Sequence, residues 1–511
     1  MPSERRLHPL SFAFDITGQV RQLVVPGLVV LVGAGSAGLD WQAWLTLLVI
    51  PYSIVALVRS LTFRYRFDPD ELVITSGLIF RNERHVPYGR IQNIDAVQNV
   101  LHRVLRVVEV RVETGGGDEP EARMRVLPLP ALEEMRARVL AGRTGHAGPQ
   151  LVGATDAVEQ PVPERRVLLA LGPRELLLAG FIDSRGLIIV GAAFGLLWEV
   201  GLFDPTINFV FGEDATGRGA FRQAVRALLG GGMPSIGRIA VLTLAFAAFT
   251  LVMRVLSMGW SLIRLWGFRL NRVRDDLGTE FGLFTRVMAT IPLRRIQTVT
   301  VRESPLHRLF KTATIRVDSA GGAGGAQGTE GRRARRESLA PIVSRADVSW
   351  LLAEVLPDVD VAGVVWRSVD PRGFRRALRS SLVLVILATL PFILMLRWWT
   401  LAWLAVLVVW AWMHATLYVK HLGWAVSDQA VLFRSGYVSR ELTIARFNKI
   451  QAVTLGESPF DRRARMASVR VDTAGAADAS HRVAIPYLAR QTADDLYHRL
   501  AGEAARTAFK W

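Results

Sequence analysis

Two cationic positions recur along this 511-residue chain at spacings that suggest anion binding. The first holds Arg90, Arg295 and Lys449, each followed at the same spacing by Gln92, Gln297 and Gln451. The second holds Arg111, Arg316 and Arg470. Such groups, held near a bilayer, attract lipid phosphates or acidic partners. The structural alternative, which the sequence leaves equally open, is that each stem packs on the fold and each charge pairs with a neighbouring carboxylate.

Acidic side chains recur where they could serve as those partners, at Glu113, Asp318 and Asp472. His102 and His307 share a repeat position, but Asp461 replaces them in the third copy. This exchange favours a surface or hydrogen-bonded histidine over a metal ligand or general base. The chain has no cysteine, and no nucleophile–base pair or metal-ligand spacing is visible. We therefore expect no catalytic residue, no metal and no cofactor.

The composition indicates a membrane protein with its basic parts on one side. Half of the residues are hydrophobic and the net charge is +17, with a mean hydropathy of +0.27. A nucleic-acid-binding protein would share the positive charge but would not need long charge-free runs, so we expect no nucleic-acid partner. Apolar runs of about 20 residues, the length that crosses a bilayer, come in three pairs. They predict six spans in three hairpins.

Basic residues then set the predicted orientation, because excess Lys and Arg mark the cytoplasmic side. Most lie in the N-terminal tail and in the long segment after each hairpin. Between the middle two spans, Arg218, Arg222 and Arg226 recur on one face of a predicted interfacial helix. Glu199 and Arg254, from the two middle spans, are a candidate intramembrane ion pair.

The long segments are three copies of one unit. Gly77, Gly282 and Gly436 align between strand-like runs, where a turn or bulge requires positive φ. Each copy continues with further alternating runs and closes with a helical pattern, over Ala131–Ala141, Ser344–Leu356 and Thr492–Ala501. This pattern predicts an α+β module, an antiparallel barrel or sandwich with one C-terminal helix.

The predicted order begins with a cytoplasmic tail (1–21), hairpin 1 (22–60) and module 1 (61–145). A linker and juxtamembrane segment (146–175) leads to hairpin 2 with its long external segment (176–265) and module 2 (266–360). A juxtamembrane segment (361–378), hairpin 3 (379–420) and module 3 (421–505) complete the chain.

The phrase "P-x-x-[RK]-I-Q", the following "ESP-[LF]-x-R" and the strand "[IV]-R-V-[DE]-[TS]-[AG]-G" resemble bacterial pleckstrin-homology (PH) membrane proteins of the YdbS/YdbT type. The resemblance covers essentially the whole chain. It implies a curved sheet of about seven strands and a C-terminal helix in each module, with a membrane hairpin before each, and it carries no catalytic residues. Copy one departs with "VQNVLHR", and copy three has Arg446 in place of Pro87 and Pro292.

The expected function is a non-enzymatic, multi-pass scaffold of the bacterial inner membrane with three cytoplasmic PH-like modules. These would bind anionic lipid headgroups or a protein partner, either a membrane protein or another copy of this chain. The alternative is a transporter or lipid-handling protein that uses the six-helix bundle. That class needs paired ionisable residues deep in several spans, and the first and third hairpins have almost none. The sequence leaves open whether the modules act separately or pack as one platform.

Overall fold

The structure is a computed structural model that describes residues 5–6, 62–77, 81–114, 122–144, 165–183, 191, 235–319, 339–389, 399–473 and 483–506. The predicted hairpin 1, the segment with Arg218, Arg222 and Arg226, and Glu199 lie outside these residues. Two compact units are formed. One comprises Met1–Leu169, Arg269–Glu280 and Thr285–Trp511 and holds the three modules. The other comprises Ala170–Phe268 and Phe281–Phe284 and holds the helices of the middle hairpin.

The modules are built from the same order of elements, so the α+β prediction is confirmed. Module 1 contains β1 (Arg5–Arg6), β2 (Arg64–Phe67), β3 (Glu71–Ser76), β4 (Asn82–Pro87), β5 (Ile91–Gln98), α1 (Val100–Val104), β6 (Val107–Thr114), β7 (Ala122–Pro128) and α2 (Leu129–Thr144). Module 2, with its hairpin helices, contains β8 (Arg166–Ala170), α3 (Pro173–Ile182), α4 (Ser235–Leu265), β9 (Arg269–Val273), β10 (Asp276–Phe281), β11 (Arg286–Pro292), β12 (Ile296–Glu303), α5 (Pro305–Leu309), β13 (Thr312–Ser319), β14 (Ala340–Ser344) and α6 (Val348–Val355). Module 3 contains β15 (Arg367–Ser368), α7 (Gly373–Thr389), α8 (Trp399–His421), β16 (Gly423–Val426), β17 (Ala430–Ser435), β18 (Arg440–Arg446), β19 (Ile450–Gly456), α9 (Pro459–Ala464), β20 (Met466–Thr473), β21 (Val483–Ala489) and α10 (Arg490–Arg506).

The strands of neighbouring modules join edge to edge. The four sheets have the orders β1-β2-β3-β4, β7-β6-β5-β11-β10-β9-β8, β14-β13-β12-β18-β17-β16-β15 and β19-β20-β21. Each module thus divides its strands between two sheets, and in modules 2 and 3 the first of these continues into the second sheet of the module before it. The question that the sequence left open is answered here, because the modules pack as one hydrogen-bonded series.

The first strand of each module precedes the helical insertion in the chain. β1 pairs antiparallel with β2 across the predicted hairpin 1, with Arg5 opposite Tyr65. β15 pairs antiparallel with β16 across α7 and α8, with Arg367 opposite Trp424. β8 is the neighbour of β9 in the same way. The segments predicted as tail and juxtamembrane linkers therefore supply a strand to the module that follows.

The cores follow the alternating pattern of the strands and the apolar face of the C-terminal helix. In module 1, Leu72, Val110 and Met124 are fully buried against Leu132 and Met135 of α2. Module 3 has the same arrangement, with strand residues packed against α10. Full burial of each such side chain stabilises the fold by roughly 1.5–3 kcal/mol, so the closing helix is part of the core.

The recurrent glycines have the backbone that was predicted. Gly77, Gly282 and Gly436 have φ values of +101°, +115° and +79°. At Gly436 a Cβ atom would collide with the carbonyl oxygen of Ser439. The strand-to-strand turn therefore requires glycine at this position, and the sequence prediction is confirmed.

Two described helices are long and apolar enough to cross a membrane, over Phe246–Leu265 in α4 and Leu401–His421 in α8. Their side chains are mostly exposed, and Phe246 is 72% accessible. Such exposure is unlike a helix in a water-soluble core and fits contact with lipid. The other predicted spans, which include residues outside those described, stay predictions.

Small residues bring the hairpin helices together. In the middle hairpin, Gly180 of α3 lies so close to α4 that a Cβ would be 2.6 Å from the Cβ of Ser261. The Ser257 hydroxyl donates to the Gly180 carbonyl at 3.0 Å. In the third hairpin, Ala411 and Ala415 of α8 are fully buried in the described structure. Close backbone approach through small residues is typical of helices packed within a bilayer.

Candidate functional site

The repeated basic phrase forms a 3-10 turn between two strands in every module. The turns are Tyr88–Arg90, Leu293–Arg295 and Phe447–Lys449, each preceded by a residue in extended conformation. The first residue of each turn is buried in its module. The buried anchor fixes the turn and leaves its last residue, the recurrent cation, toward the surface.

The recurrent cations and glutamines differ in environment from one module to the next. Arg90 is exposed, whereas Arg295 and Lys449 are half-buried. Gln297 is buried and donates to the Arg295 carbonyl at 3.2 Å, but Gln451 is exposed. β18 of the next module pairs with β12 and covers the edge near Gln297. No described strand pairs with the corresponding edge of β19, so Gln451 stays exposed. The side chain of Gln92 lies outside the described residues.

In module 1 the second cationic position is structural. Arg111 is only 6% exposed, and its guanidinium donates to Glu109 at 2.8 and 3.0 Å. It also lies opposite the buried Asp95 on the neighbouring strand. Sequence reasoning missed both carboxylates, although Asp95 is acidic where the other copies have Thr300 and Thr454. Because Arg111 is buried and has a carboxylate on each side, its charge stabilises the sheet.

The same position is more open in the other modules. Arg316 is half-buried and lies opposite Thr300, and Arg470 is exposed and lies opposite Thr454. The acidic position next to them is also partly structural, because Asp318 accepts a hydrogen bond from the Thr298 hydroxyl at 2.7 Å. The second cationic position is therefore not one repeated site.

His102, His307 and Asp461 cap short helices. The Asn99 side chain accepts from the His102 backbone N–H at 2.9 Å. The Ser304 hydroxyl lies 2.8 Å from Nδ1 of His307, and Asp461 accepts from the Ser458 backbone N–H at 3.0 Å. In modules 2 and 3 this arrangement is a reciprocal helix cap. It confirms the interpretation of these histidines as hydrogen-bonded side chains.

The junction between modules 2 and 3 explains why copy three has Arg446 where the other copies have Pro87 and Pro292. This side chain is 7% exposed, and it donates to the carbonyl of Val355 at 3.2 Å and pairs with Asp358 at 2.9 Å. Both partners belong to the end of module 2. Arg302 and Glu441 add a second ion pair across the junction at 3.3 Å. A proline at residue 446, as in the other copies, could make none of the Arg446 contacts.

The same junction assembles a basic cluster from two modules, formed by Arg294, Arg446 and Lys449. Burial lowers the pKa of Lys449, and the positive charges of Arg446 and Arg294 lower it further. Within the described part of the chain, no carboxylate forms an ion pair with Lys449 or Arg294. Arg294 stands beside the recurrent Arg295 and was not singled out by the sequence pattern. A cluster of this kind, short of negative charge, favours an anion.

A groove of about 660 Å³, lined by the end of module 2 and by module 3, has a different character. Its polar lining includes Asp358, Asp360, Asp428, Asp495, Arg367 and Arg499. Carboxylates outnumber cations there, so the groove does not extend the basic cluster.

Of the candidate intramembrane pair Glu199 and Arg254, only Arg254 lies within the described residues. Arg254 of α4 donates to the carbonyl of Phe181 and lies over its ring at 5.4 Å. Glu199 lies outside the described residues, so its pairing with Arg254 stays a prediction. The contact with Phe181 nevertheless gives this cation a hydrogen-bond acceptor within the middle hairpin.

Three stretches of the chain match the family model described as "Bacterial PH domain", over residues 23–143, 225–358 and 380–504. The chain belongs to this family. It is also 22% identical over 481 residues to a Bacillus subtilis (strain 168) protein named UPF0699 transmembrane protein YdbT, with 92% of each chain covered. No solved structure matches the chain. The protein is thus a membrane-associated member of the bacterial PH domain family, and the resemblance inferred from the sequence is confirmed.

Proposed function

We propose that this protein is a non-enzymatic scaffold of the inner membrane that holds three bacterial PH modules at the cytoplasmic surface and binds anionic lipid headgroups. One observation carries the proposal. The strand before each helical insertion is the sheet neighbour of the strand after it, in β1–β2, β8–β9 and β15–β16.

This pairing constrains the path of the chain through a membrane. Hydrogen-bonded neighbouring strands are about 5 Å apart, far less than the thickness of a bilayer. Both ends of each insertion must therefore be on one side, and an insertion that crosses the bilayer does so an even number of times. This supports hairpins with all three modules on one side, and the excess of Lys and Arg favours the cytoplasmic side.

The basic cluster of Arg294, Arg446 and Lys449 supports an anionic ligand. Each cation near an anionic membrane surface contributes about 1 kcal/mol of attraction. Arg446 is partly neutralised by Asp358, which leaves Lys449 and Arg294 as the main ligand-binding charges. The exposed Arg90 of module 1 offers a further, separate cation.

Photo-crosslinking in nanodiscs tests this proposal. The full chain is reconstituted with a photoactivatable phosphatidylglycerol or a photoactivatable phosphatidylcholine of the same acyl chains, and labelled peptides are mapped by mass spectrometry. We expect the anionic probe to label the peptides around Arg294 and Lys449 in preference to the zwitterionic probe. The double variant Arg294→Gln/Lys449→Gln should lose most of that labelling.

The control is Arg506→Gln, which removes one charge from an exposed position at the end of α10. It should leave the labelling unchanged. Equal labelling by the two probes, or unchanged labelling in the double variant, would show that the cluster does not bind anionic headgroups.

A further inference from the structure

Two strand edges remain at the ends of the series of modules. β11 of module 2 joins β5 of module 1, and β18 of module 3 joins β12 of module 2. By repeat position, β4 of module 1 corresponds to β11 and β18, and β19 of module 3 corresponds to β5 and β12. In the described structure β4 and β19 are the terminal strands of their sheets. Each therefore has the edge that its counterparts use for a junction.

Burial shows what the missing neighbour would cover. On β12, Gln297 and Thr298 are 4% and 2% exposed because β18 lies beside them. The corresponding residues of β19, Gln451 and Ala452, are both exposed. β4 shows the same contrast, since its residues 82–85 are exposed whereas β11, after the exposed Arg286, alternates between buried and partly buried.

The edge of β19 lacks the protection that isolated edge strands usually have. Natural edges carry charged residues, especially lysine, or proline, which discourage pairing with another chain. β19 has the sequence IQAVTLG, with no charge and no proline. β4 is charged, with Glu83 and Arg84 in its exposed part. β19 is therefore the less protected of the two edges.

The two junctions within the chain have one register, which can be carried to the free edges. Arg286 lies opposite Gln98 in the first junction, and Arg440 lies opposite Glu303 in the second. These are the same repeat positions. Transfer of this register to the terminal edges places Arg81 opposite Glu457 and Arg84 opposite Thr454. Glu457 also pairs with Arg490, as Glu303 pairs with Arg345 while lying opposite Arg440, so its existing partner does not exclude the new one.

We propose that the partner of these edges is a second copy of this chain, with β4 of one copy paired antiparallel with β19 of the next. The contact repeats a junction that the chain already forms twice. It is heterologous, because the two edges differ, so copies would assemble head to tail into rings or into filaments along the membrane. Modules held on one side of the bilayer share the orientation that such an assembly needs.

Disulfide trapping tests the register directly, because the chain has no cysteine of its own. Arg84→Cys on a chain with one tag and Thr454→Cys on a chain with another tag are co-expressed, and native membranes are mildly oxidised. Both positions are exposed in the described structure, and cross-strand partners on one face lie about 5 Å apart. We expect a reducible dimer with both tags, several-fold above the control pair Arg84→Cys with Arg506→Cys.

Four results would overturn the proposal, of which the first three concern the trapped pair. They are a yield no higher than the control, dimers of Arg84→Cys or Thr454→Cys alone at equal yield, and capture of an unrelated protein at either edge in place of the second copy. A chain carrying both cysteines that closes within a single copy would also exclude it. Circular dichroism of each variant, compared with the unmodified chain, separates these results from misfolding.

A second measurement needs no cysteine. Arg81→Glu places two acidic residues opposite each other in the proposed contact, and Arg81 is exposed in this structure. Mass photometry of the full chain in detergent should show oligomers for the unmodified protein and a shift to single copies for Arg81→Glu. Arg506→Glu, with the same charge change elsewhere, should keep the oligomers. Identical distributions for the three proteins would count against the β4–β19 contact.

Discussion

Replacement of Arg446 by methionine should loosen the junction of modules 2 and 3 without unfolding the modules. The change keeps an unbranched stem of similar length but removes the donor to the Val355 carbonyl and the ion pair with Asp358. A buried carbonyl that loses its donor costs about 1–3 kcal/mol. The ion pair contributes less, about 0–1 kcal/mol, because the Asp358 side chain is 40% exposed. The expected loss is therefore about 2 kcal/mol.

Hydrogen exchange followed by mass spectrometry measures this local change in the full chain. A loss of about 2 kcal/mol in the opening free energy corresponds to roughly 30-fold faster exchange of the affected amides. We expect this acceleration in β12 and β18, which pair across the junction. β20 and β21 belong to a separate sheet in module 3. Their amides should exchange at the same rate as in the unmodified protein.

Arg440→Met is the matched control, because it makes the same chemical change at the exposed start of β18. Surface substitutions usually change stability by less than about 0.5 kcal/mol, which corresponds to a change of about twofold in exchange. If Arg446→Met behaved like this control, the buried contacts of Arg446 would not hold the junction. If it accelerated exchange across the whole of module 3, the contacts would stabilise the module rather than the junction.

Three further predictions concern single positions. Gly436→Ala should destabilise the chain by at least about 1–2 kcal/mol, because φ is +79° and the new Cβ meets the Ser439 carbonyl. The thermal midpoint of this variant should fall. The control Gly502→Ala lies in the open interior of α10 and should raise the thermal midpoint. Gly180→Ala should separate α3 from α4, since the added Cβ meets backbone atoms of Met258 and Ser257. We expect the free energy of unfolding to fall by about 1–3 kcal/mol. An unchanged thermal midpoint would contradict the close packing. The pKa of His85 is raised, first by its hydrogen bond to Glu71 and also by the charges of Glu71 and Glu83, so its stabilising contribution is fully present below the ordinary histidine pKa and is lost as the pH rises through the raised value. Glu71→Gln should move the NMR titration of His85 to lower pH, and an unmoved titration would rule out this contact.

Local patterns were sufficient to predict the unit of construction. The alignment of Gly77, Gly282 and Gly436 predicted positive φ, and the structure has it at all three positions. The C-terminal helices were predicted because apolar residues recur with helical spacing after the last strand, and α2, α6 and α10 lie there. These features depend on residues close together in the sequence, so their physical causes are visible in each copy.

The first strands of modules 1 and 3 were missed for an equally physical reason. β1 and β15 have two residues each, too few for an alternating pattern. They form because a distant strand, beyond the helical insertion, offers its edge for hydrogen bonds. The role of Arg446 was hidden in the same way, since its partners, Val355 and Asp358, lie in the preceding module.

The sequence alone predicted the threefold repeat, the α+β module, two apolar helices that the structure contains and the membership of the bacterial PH family, because each depends on the order and spacing of side chains. It could not establish how the modules join. β4, β11 and β18 occupy one repeat position, yet β11 and β18 pair with another module and β4 ends its sheet. Backbone hydrogen bonds between strand edges do not depend on side-chain identity, so pairing between modules is decided by three-dimensional proximity. That proximity also brings the positive charge of Arg294 of module 2 close enough to Lys449 of module 3 to lower its pKa, and so creates the basic cluster.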